Sequence, residues 1–246
     1  MRIPRRVAEE LARQTGLGFI EQAVFFAACV FCPRSISELA IRAHLSRSTT
    51  IKACKALVAL GWMRLARCAN RVQPIAVIPH RCQELLAARL RAEYDLTPRK
   101  GEFLMKRFLD LRVYSQDFIE NARPAFLENP GTSQLLEYDR YYDVEKVAFE
   151  FNGSQHFDTT EAFPDEQELD ELKTRDAVKV ILSNGEQVTL VVVTIELLLP
   201  RRLDRMLPMG LAKQPLDDKG PYYRTLNNLC VRYIRAVQQA RKAKRD

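Results

Sequence analysis

The stretch Leu135–His156 constrains the fold of this chain most strongly, because it has the composition of two short strands joined by a tight turn. Aromatic and β-branched residues fill it, and the polar segment Asp143–Lys146 interrupts them. A two-residue turn at 144–145 sets Asp139 opposite Glu150 on one face. The other face is expected to lie in the core; its residues are Tyr138, Arg140, Tyr142, Val147, Phe149 and Phe151.

Two opposed carboxylates repel each other across a strand pair unless a cation lies between them. Hard oxygen ligands suit Mg²⁺, and also Mn²⁺, so Asp139 and Glu150 are candidate metal ligands. The alternative is a solvent-exposed polar face on which both side chains are merely hydrated. The opposition of the two carboxylates depends on the strand register. Val-Glu is not a favoured hairpin turn, and a slip of one residue separates Asp139 from Glu150.

Charge is unevenly distributed along the 246 residues, which are enough for one large domain or two small ones. The net charge of +7 combines basic excesses of eight over 1–80, two over 81–100 and eight over 201–246 with an acidic excess of eleven over 101–200. Basic ends suit a polyanion, and an acidic middle suits a metal site. Alternatively, the acidity reflects only the solvated run Asp165–Glu171.

Cysteine usage and hydropathy predict a soluble, cytoplasmic protein without a membrane partner. The six cysteines lack the spacing of a disulfide framework, and the single C-x-x-C of Cys29 and Cys32 favours reduced, buried thiols over zinc. The N-terminus lacks the apolar segment of a signal peptide. The longest apolar run, Val188–Leu199, contains Glu196 and is too short to cross a bilayer.

The first eighty residues predict three helices followed by two strands. The first helix is Phe19–Phe31, the second begins at a capping box formed by Ser35 and Glu38, and the third runs from its cap Ser46 to Leu60. Two strand-like runs follow, Trp62–Arg67 and Val72–Ile78. The core face of the third helix is expected at Ile51, Cys54, Leu57 and Val58.

This pattern resembles the winged helix-turn-helix family over about residues 18–79, most tellingly in ALVALGWMRLAR. In that family the third helix enters the major groove and the wing touches the DNA backbone. The resemblance implies contacts to double-stranded DNA from Arg47, Ser48, Thr49, Lys52 and Lys55 on the helix, and from Arg67 and Arg71 on the wing. Winged helices also dock proteins, but the basic excess favours DNA.

Residues 81–96 read as an amphipathic connecting helix, after which Thr97 and Pro98 begin a second domain over 97–200. Its first helix places Glu102 and Lys106 on one face at i, i+4. A later helix, Asp165–Leu182, is expected to bury its apolar residues Leu169, Leu172, Val180 and Ile181, and a buried strand follows at Gln187–Ile195. Residues 201–246 form a basic helical extension, whose tail suits a phosphate clamp, a partner-binding tail or a frayed end.

Four segments after Thr97 carry a second resemblance: PRKGEFLMKRFL, EYDRYY, AFEFNGSQHF and ELDELKTRDAVKVILSNGEQVTLVVV. In this order and spacing they resemble the PD-(D/E)xK nuclease superfamily, within it the very-short-patch-repair-like and homing-endonuclease-associated branch. The expected fold class is therefore α+β, with an N-terminal winged helix domain, a restriction-endonuclease-like α/β core and a C-terminal helical extension.

The second resemblance implies roles for five residues. Asp139 and Glu150 match the metal-binding carboxylates, Glu102 the helix acid that assists them, His156 the family histidine and Lys179 the lysine of the following helix. His156 suits proton transfer near neutral pH, and Lys179 (or Lys173) suits stabilisation of developing charge. Asn152 departs from the pattern, since the superfamily has lysine there and this branch more often aspartate, and the change removes a possible metal ligand.

The sequence thus predicts an endodeoxyribonuclease that uses Mg²⁺ (or Mn²⁺) to hydrolyse phosphodiester bonds in double-stranded DNA delivered by the winged helix. Two alternatives stay open. One is a DNA-binding regulator that keeps the nuclease fold without catalysis. The other is a nuclease subunit of a transposition or defence assembly, and the chain is compatible with a homodimer or a larger nucleoprotein complex.

Overall fold

In this computed structural model, residues 17–31, 33–68, 71–77, 80–115, 117–153, 166–214 and 216–243 are described. They contain both helices and strands, which confirms the predicted α+β class. The chain divides into two compact units. The first unit comprises the residues up to Arg89 with 110–114 and 214–223, and the second comprises 90–109, 115–213 and 224–246.

The first unit contains the helices and strands predicted for its N-terminal part. They are α1 (Phe19–Phe31), α2 (Ile36–Arg42), α3 (Arg47–Ala59), β1 (Met63–Cys68) and β2 (Arg71–Ala76). The two strands pair antiparallel in a continuous register. Strand ends lie one or two residues from the predicted positions, the margin expected where no cap marks a boundary.

Helix starts follow the predicted capping chemistry. The Ser35 hydroxyl accepts from the Glu38 backbone N–H at 3.1 Å, and the Glu38 carboxylate accepts from the Arg34 N–H at 2.8 Å. Ser46 caps α3 by accepting from the Thr49 N–H at 3.1 Å. After the end of α3, Gly61 takes a positive φ of 76°, which glycine adopts without steric cost.

The buried face of α3 contains Cys54 and Leu57 as predicted, but its other two members are Thr50 and Ala53 instead of Ile51 and Val58. Val58 is 40% exposed, because the i, i+3, i+4, i+7 stripe that starts at Thr50 turns position 58 toward solvent. Thr50 is buried without an unpaired hydroxyl, since its Oγ1 donates to the Ser46 carbonyl at 2.9 Å. A polar residue with a local partner therefore takes the place of an apolar residue in the core stripe.

The second part of the chain builds a four-stranded sheet. Its elements in chain order are α4 (His80–Leu96), α5 (Lys100–Arg112), β3 (Ile119–Ala122), β4 (Tyr138–Tyr142), β5 (Val147–Asn152), α6 (Glu166–Gly185), β6 (Thr189–Thr194), α7 (Pro200–Met206) and α8 (Pro221–Ala243). The strand order is β3-β4-β5-β6; β4 is antiparallel to both neighbours, and β5 runs parallel to β6. Parallel strands need a crossover connection, and α6 lies in that connection.

The β4–β5 hairpin has the predicted register, with Tyr142 opposite Val147 and Arg140 opposite Phe149. Its loop contains the four residues 143–146 instead of two. Lys146 supplies the positive φ, at 54°, so the unfavourable Val-Glu two-residue turn is not needed.

The core face of the hairpin includes a charged residue. Arg140 is completely buried, and its Nη2 donates to Glu120 Oε1 at 2.6 Å. Its guanidinium also lies 4.1 Å from the centre of the Phe118 ring. The hydrogen bonds and the cation–π contact compensate the loss of hydration that burial of a charge entails.

Helix α6 buries a different face from the one predicted. Val180 is 41% and Ile181 68% exposed, whereas Lys179 and Ser183 are buried. Ser183 contacts the Tyr138 hydroxyl at 2.5 Å, and Lys179 contacts Glu150 in β5. The side chains of Leu169 and Leu172 lie outside the described residues. The strand β6 buries alternate residues instead of both faces.

Within the described part of the chain, no single helix is both long enough and apolar enough to cross a membrane. The helices α1 and α2 satisfy that test together as a pair bent by 106°.

Candidate active site

Asp139 and Glu150 lie on adjacent strands at the end of the hairpin pairing. The β4–β5 residue pairs end at Arg140 and Phe149, and one further step of the same register sets Asp139 opposite Glu150. Asp139 Oδ2 accepts from the Phe151 backbone N–H at 2.7 Å. The Asp139 carboxylate is therefore held against β5 at the position where the β4–β5 pairing ends.

Glu150 forms a buried ion pair with Lys179 of α6. Lys179 Nζ donates to Glu150 Oε1 at 2.6 Å. The Lys179 side chain is 9% exposed and the Glu150 side chain 14% exposed. The second oxygen, Glu150 Oε2, is buried and has no hydrogen-bond partner among the described residues. Glu150 thus has one oxygen held by an ammonium group and one oxygen that a cation or donor could bind.

Burial raises the pKa of both carboxyl groups. The pKa of Asp139 rises to about 6, because desolvation outweighs the Phe151 N–H bond, and Glu102 adds negative charge nearby. Burial raises the pKa of Glu150 to about 7; Lys179 opposes this rise and Asp139 adds to it. The folded protein therefore binds these protons more tightly than the unfolded chain. Their contribution to stability is present below about pH 4 and is lost as the pH rises through 6–7.

A second lysine lies near the pair. Lys106 of α5 is 8% exposed, and its Nζ donates to Glu102 Oε1 at 2.5 Å and to Asn121 Oδ1 at 2.9 Å. Its charge lowers the pKa of Asp139, which places it in the electrostatic environment of that carboxylate. No site role was predicted for Lys106, although its i, i+4 spacing to Glu102 was the available signal.

Gly101 allows α5 to approach β5 closely. A Cβ at this position would lie 2.0 Å from Cε1 of Phe151, so any larger residue would collide with that ring. The glycine thereby positions the helix turn that carries Glu102 beside the strand that carries Glu150.

Asn152, the residue that departs from the family pattern, contacts Asp176 of α6. Asn152 Nδ2 donates to Asp176 Oδ2 at 3.3 Å. Its amide oxygen Oδ1 is buried and has no hydrogen-bond partner among the described residues.

The donor set fits a hard divalent cation on the evidence of these two oxygens, Glu150 Oε2 and Asn152 Oδ1. No group of three or more His, Cys, Asp or Glu side chains within the described ranges is arranged to hold a metal ion. Mg²⁺ usually keeps several waters and needs only one or two protein carboxylates. Asp139 and Glu150 would supply these.

Some of the predicted catalytic residues lie outside the part of the chain that the structure describes. His156 lies outside the described residues, and so does the side chain of Lys173. The structure brings together Asp139, Glu150 and Lys179 and couples Glu102 to Asp139 electrostatically.

Most of the predicted DNA-binding side chains are exposed to solvent. Arg47, Ser48, Lys52 and Lys55 of α3 are exposed, as is Arg67 of β1. Thr49 is half-buried, and its hydroxyl lies 2.8 Å from that of Ser46, so it takes part in the helix cap. The side chain of Arg71 lies outside the described residues.

Comparison with known proteins gives two partial matches. No family model matches the sequence, and no solved structure matches it. Uncharacterized protein 307L of Invertebrate iridescent virus 6 is 34% identical over 119 residues, covering 40% of this chain and 57% of the viral protein. Uncharacterized protein 033L of Invertebrate iridescent virus 3 is 37% identical over 86 residues, covering 32% and 43%. The chain spans about half the length of these viral proteins.

Proposed function

We propose that this chain is a metal-dependent DNA endonuclease that hydrolyses phosphodiester bonds at Asp139 and Glu150. One observation carries the proposal: two largely buried carboxylates lie on adjacent strands, and a buried lysine neutralises only one oxygen of one of them. Such an arrangement is costly without a further cation. Perturbed carboxyl pKa values of this kind are typical of functional sites.

The order of elements supports the same function. The run α5-β3-β4-β5-α6-β6, with an antiparallel hairpin followed by a parallel strand, is the arrangement expected of a restriction-endonuclease-like core. The motif resemblance assigns the metal-binding carboxylates to this hairpin, and the lysine to the helix that follows it.

The charge balance supports a divalent cation. Among the described residues that influence the pair, the carboxylates of Glu102, Asp139, Glu150 and Asp176 face the ammonium groups of Lys106 and Lys179. With all groups ionised, and with Arg99 counted because its Nη1 lies 3.5 Å from Glu102 Oε2, these residues carry a surplus of one negative charge. A bound cation relieves that surplus, and so does protonation of one of the two carboxyl groups when no metal is bound.

The chain's own residues have separable tasks in this proposal. When bound, Mg²⁺ supplies Lewis acidity at the phosphate and lowers the pKa of a water. Lys179 orients Glu150 and adds positive charge where charge develops on the phosphate. Glu102 raises the pKa of Asp139 and Lys106 lowers it, so these two residues set the protonation of that carboxyl group. His156 is proposed to transfer the proton.

Incubation of the full chain with supercoiled plasmid tests this function. We expect conversion to nicked or linear DNA with Mg²⁺ or Mn²⁺ and no conversion with EDTA. Binding of duplex DNA without cleavage in either metal at pH 7–9 would contradict the proposal and favour a non-catalytic DNA-binding regulator. Cleavage that appears only after addition of cell extract would favour a subunit of a larger assembly.

We further propose that α3 and the β1–β2 hairpin act as a winged helix that binds double-stranded DNA. The supporting observation is the exposed basic face formed by Arg47, Lys52 and Lys55. Each phosphate that a basic side chain neutralises contributes about −0.9 to the slope of log affinity against log salt concentration.

Replacing Lys52 and Lys55 together by glutamine is expected to make this slope shallower by about 0.9 for each phosphate that is no longer neutralised. Fluorescence anisotropy with labelled duplex DNA at several salt concentrations measures it. The double replacement of the exposed lysines Lys213 and Lys219 removes the same charge and serves as the matched control. An equal effect of both pairs would mean that only net charge matters, and no effect of the first would indicate protein docking instead.

A further inference from the structure

Asn152 and Asp176 form a hydrogen bond beside the proposed metal site, and this bond has no role in the proposed function above. Asn152 follows Glu150 by two residues in β5, so both side chains leave the same face of the strand. Asp176 lies on α6, three residues before Lys179, and accepts from Asn152 Nδ2 at 3.3 Å. The same two elements therefore hold both Glu150 and Asn152.

The contact fixes the orientation of the amide. An ionised carboxylate only accepts hydrogen bonds, so the amide NH₂ must face Asp176 and the amide oxygen must face away from it. This oxygen, Asn152 Oδ1, is buried without a partner among the described residues, and so is Glu150 Oε2. Two acceptor oxygens on one face of one strand thus lack donors, which is costly unless a cation or a bound water satisfies them.

We propose that Asn152 is a ligand of the metal through its amide oxygen, directly or through a water, and that Asp176 is the positioning residue that presents this oxygen. The inference rests on the proposed function and identifies how this chain compensates the missing family aspartate. Amide and carboxylate oxygens are both suitable ligands for Mg²⁺ and Mn²⁺. Asp176 then acts as an outer-shell partner that orients a ligand.

Binding of Mn²⁺ to the full chain without DNA tests the ligand, with free Mn²⁺ measured by electron paramagnetic resonance and the metal-free melting temperature recorded in parallel. We expect Asn152→Leu to weaken Mn²⁺ binding about tenfold. The same change also removes the hydrogen bond from Asn152 Nδ2 to Asp176, so the metal-free melting temperature shows whether the variant is still folded when binding is measured. A purely structural asparagine would give lower stability with unchanged metal binding.

A reciprocal exchange tests the positioning residue. Asp176→Asn is expected to weaken Mn²⁺ binding about tenfold, because either end of the Asn152 amide can then face position 176. Adding Asn152→Asp to that variant reverses the pair, so that the amide at position 176 donates to the carboxylate at position 152. The Mn²⁺ affinity of this double variant should be at least about one third of that of the original protein. Asp143→Asn, at the exposed loop of the same hairpin, is the control and should change nothing.

Glu150→Gln separates failure of this inference from failure of the proposed function. If Glu150→Gln weakens Mn²⁺ binding and Asn152→Leu does not, the metal site stands and Asn152 is not its ligand. Unchanged binding in Asp176→Asn overturns the positioning role. If the original protein does not bind Mn²⁺ at all, or if Glu150→Gln binds it equally well, the proposed metal site and this inference both fail.

Discussion

Replacing Asp139 or Glu150 by alanine is expected to abolish plasmid cleavage while leaving the affinity for duplex DNA near its original value. Loss of an outer-shell partner of a metal typically costs roughly 10–100-fold in activity, and loss of a ligand should cost more. Affinity should persist because the proposed DNA-binding residues lie on α3 and the β1–β2 hairpin, in the first unit. Cleavage rates and anisotropy on the same preparations measure both properties.

The isosteric variants Asp139→Asn and Glu150→Gln keep this prediction interpretable if the alanine variants do not fold. They preserve side-chain volume and remove one negative charge each, so they should fold and still fail to cleave. Asp143→Ala changes an exposed carboxylate of the same hairpin and should cleave normally. Full activity in both isosteric variants would place the catalytic site elsewhere.

Replacing Lys179 by methionine is expected to destabilise the protein by about 3–5 kcal/mol at pH 8. The change leaves the Glu150 carboxylate buried without its ammonium partner, because the pair is only 9% and 14% exposed. The melting temperature should fall on the order of ten degrees. The loss should be smaller at pH 5, since Glu150 then takes up a proton. Its pKa is already raised to about 7 by burial.

Two further variants identify the ion pair as the cause. The double variant Lys179→Met with Glu150→Gln removes both charges and should recover most of the lost stability. Lys146→Met breaks the exposed pair with Asp143, whose side chains are 52% and 62% exposed, and should cost less than about 1 kcal/mol. A loss in Lys179→Met that is independent of pH and not recovered in the double variant would indicate a packing role for the lysine.

The hairpin could be predicted from the sequence because two independent patterns agree there. Aromatic and β-branched residues mark both strands, and the polar segment 143–146 marks the loop between them. The observed pairing of Tyr142 with Val147 is the predicted one, although the loop is two residues longer. Helix caps at Ser35 and Ser46 were predictable for a similar reason, since capping depends on local chemistry.

The orientation of α6 could not be predicted from its own residues. Apolar periodicity favours burial of Val180 and Ile181, but both are exposed, and Lys179 is buried because its partner Glu150 lies on the sheet. The same applies to Lys106, whose burial depends on Asn121 in β3. Burial of these two lysines depends on partners supplied by other elements, in addition to Glu102 on the same helix as Lys106, and hydrophobic patterns do not contain that information.

Thermal melts of the original protein and Glu150→Gln, each with and without Mg²⁺ at pH 8 and pH 5.5, test the central claim that Asp139 and Glu150 form a metal site. A ligand at a hundredfold excess over its Kd stabilises the folded state by about 2.7 kcal/mol. We expect the original protein to gain this stability at pH 8 and to gain less at pH 5.5, because protons compete for carboxyl groups with pKa values of about 6 and 7. Glu150→Gln should be less stable without metal, because the Lys179 ammonium, only 9% exposed, loses its carboxylate partner, and this variant should respond weakly to Mg²⁺. Equal gains in the two proteins would contradict the claim, because the metal would then bind elsewhere.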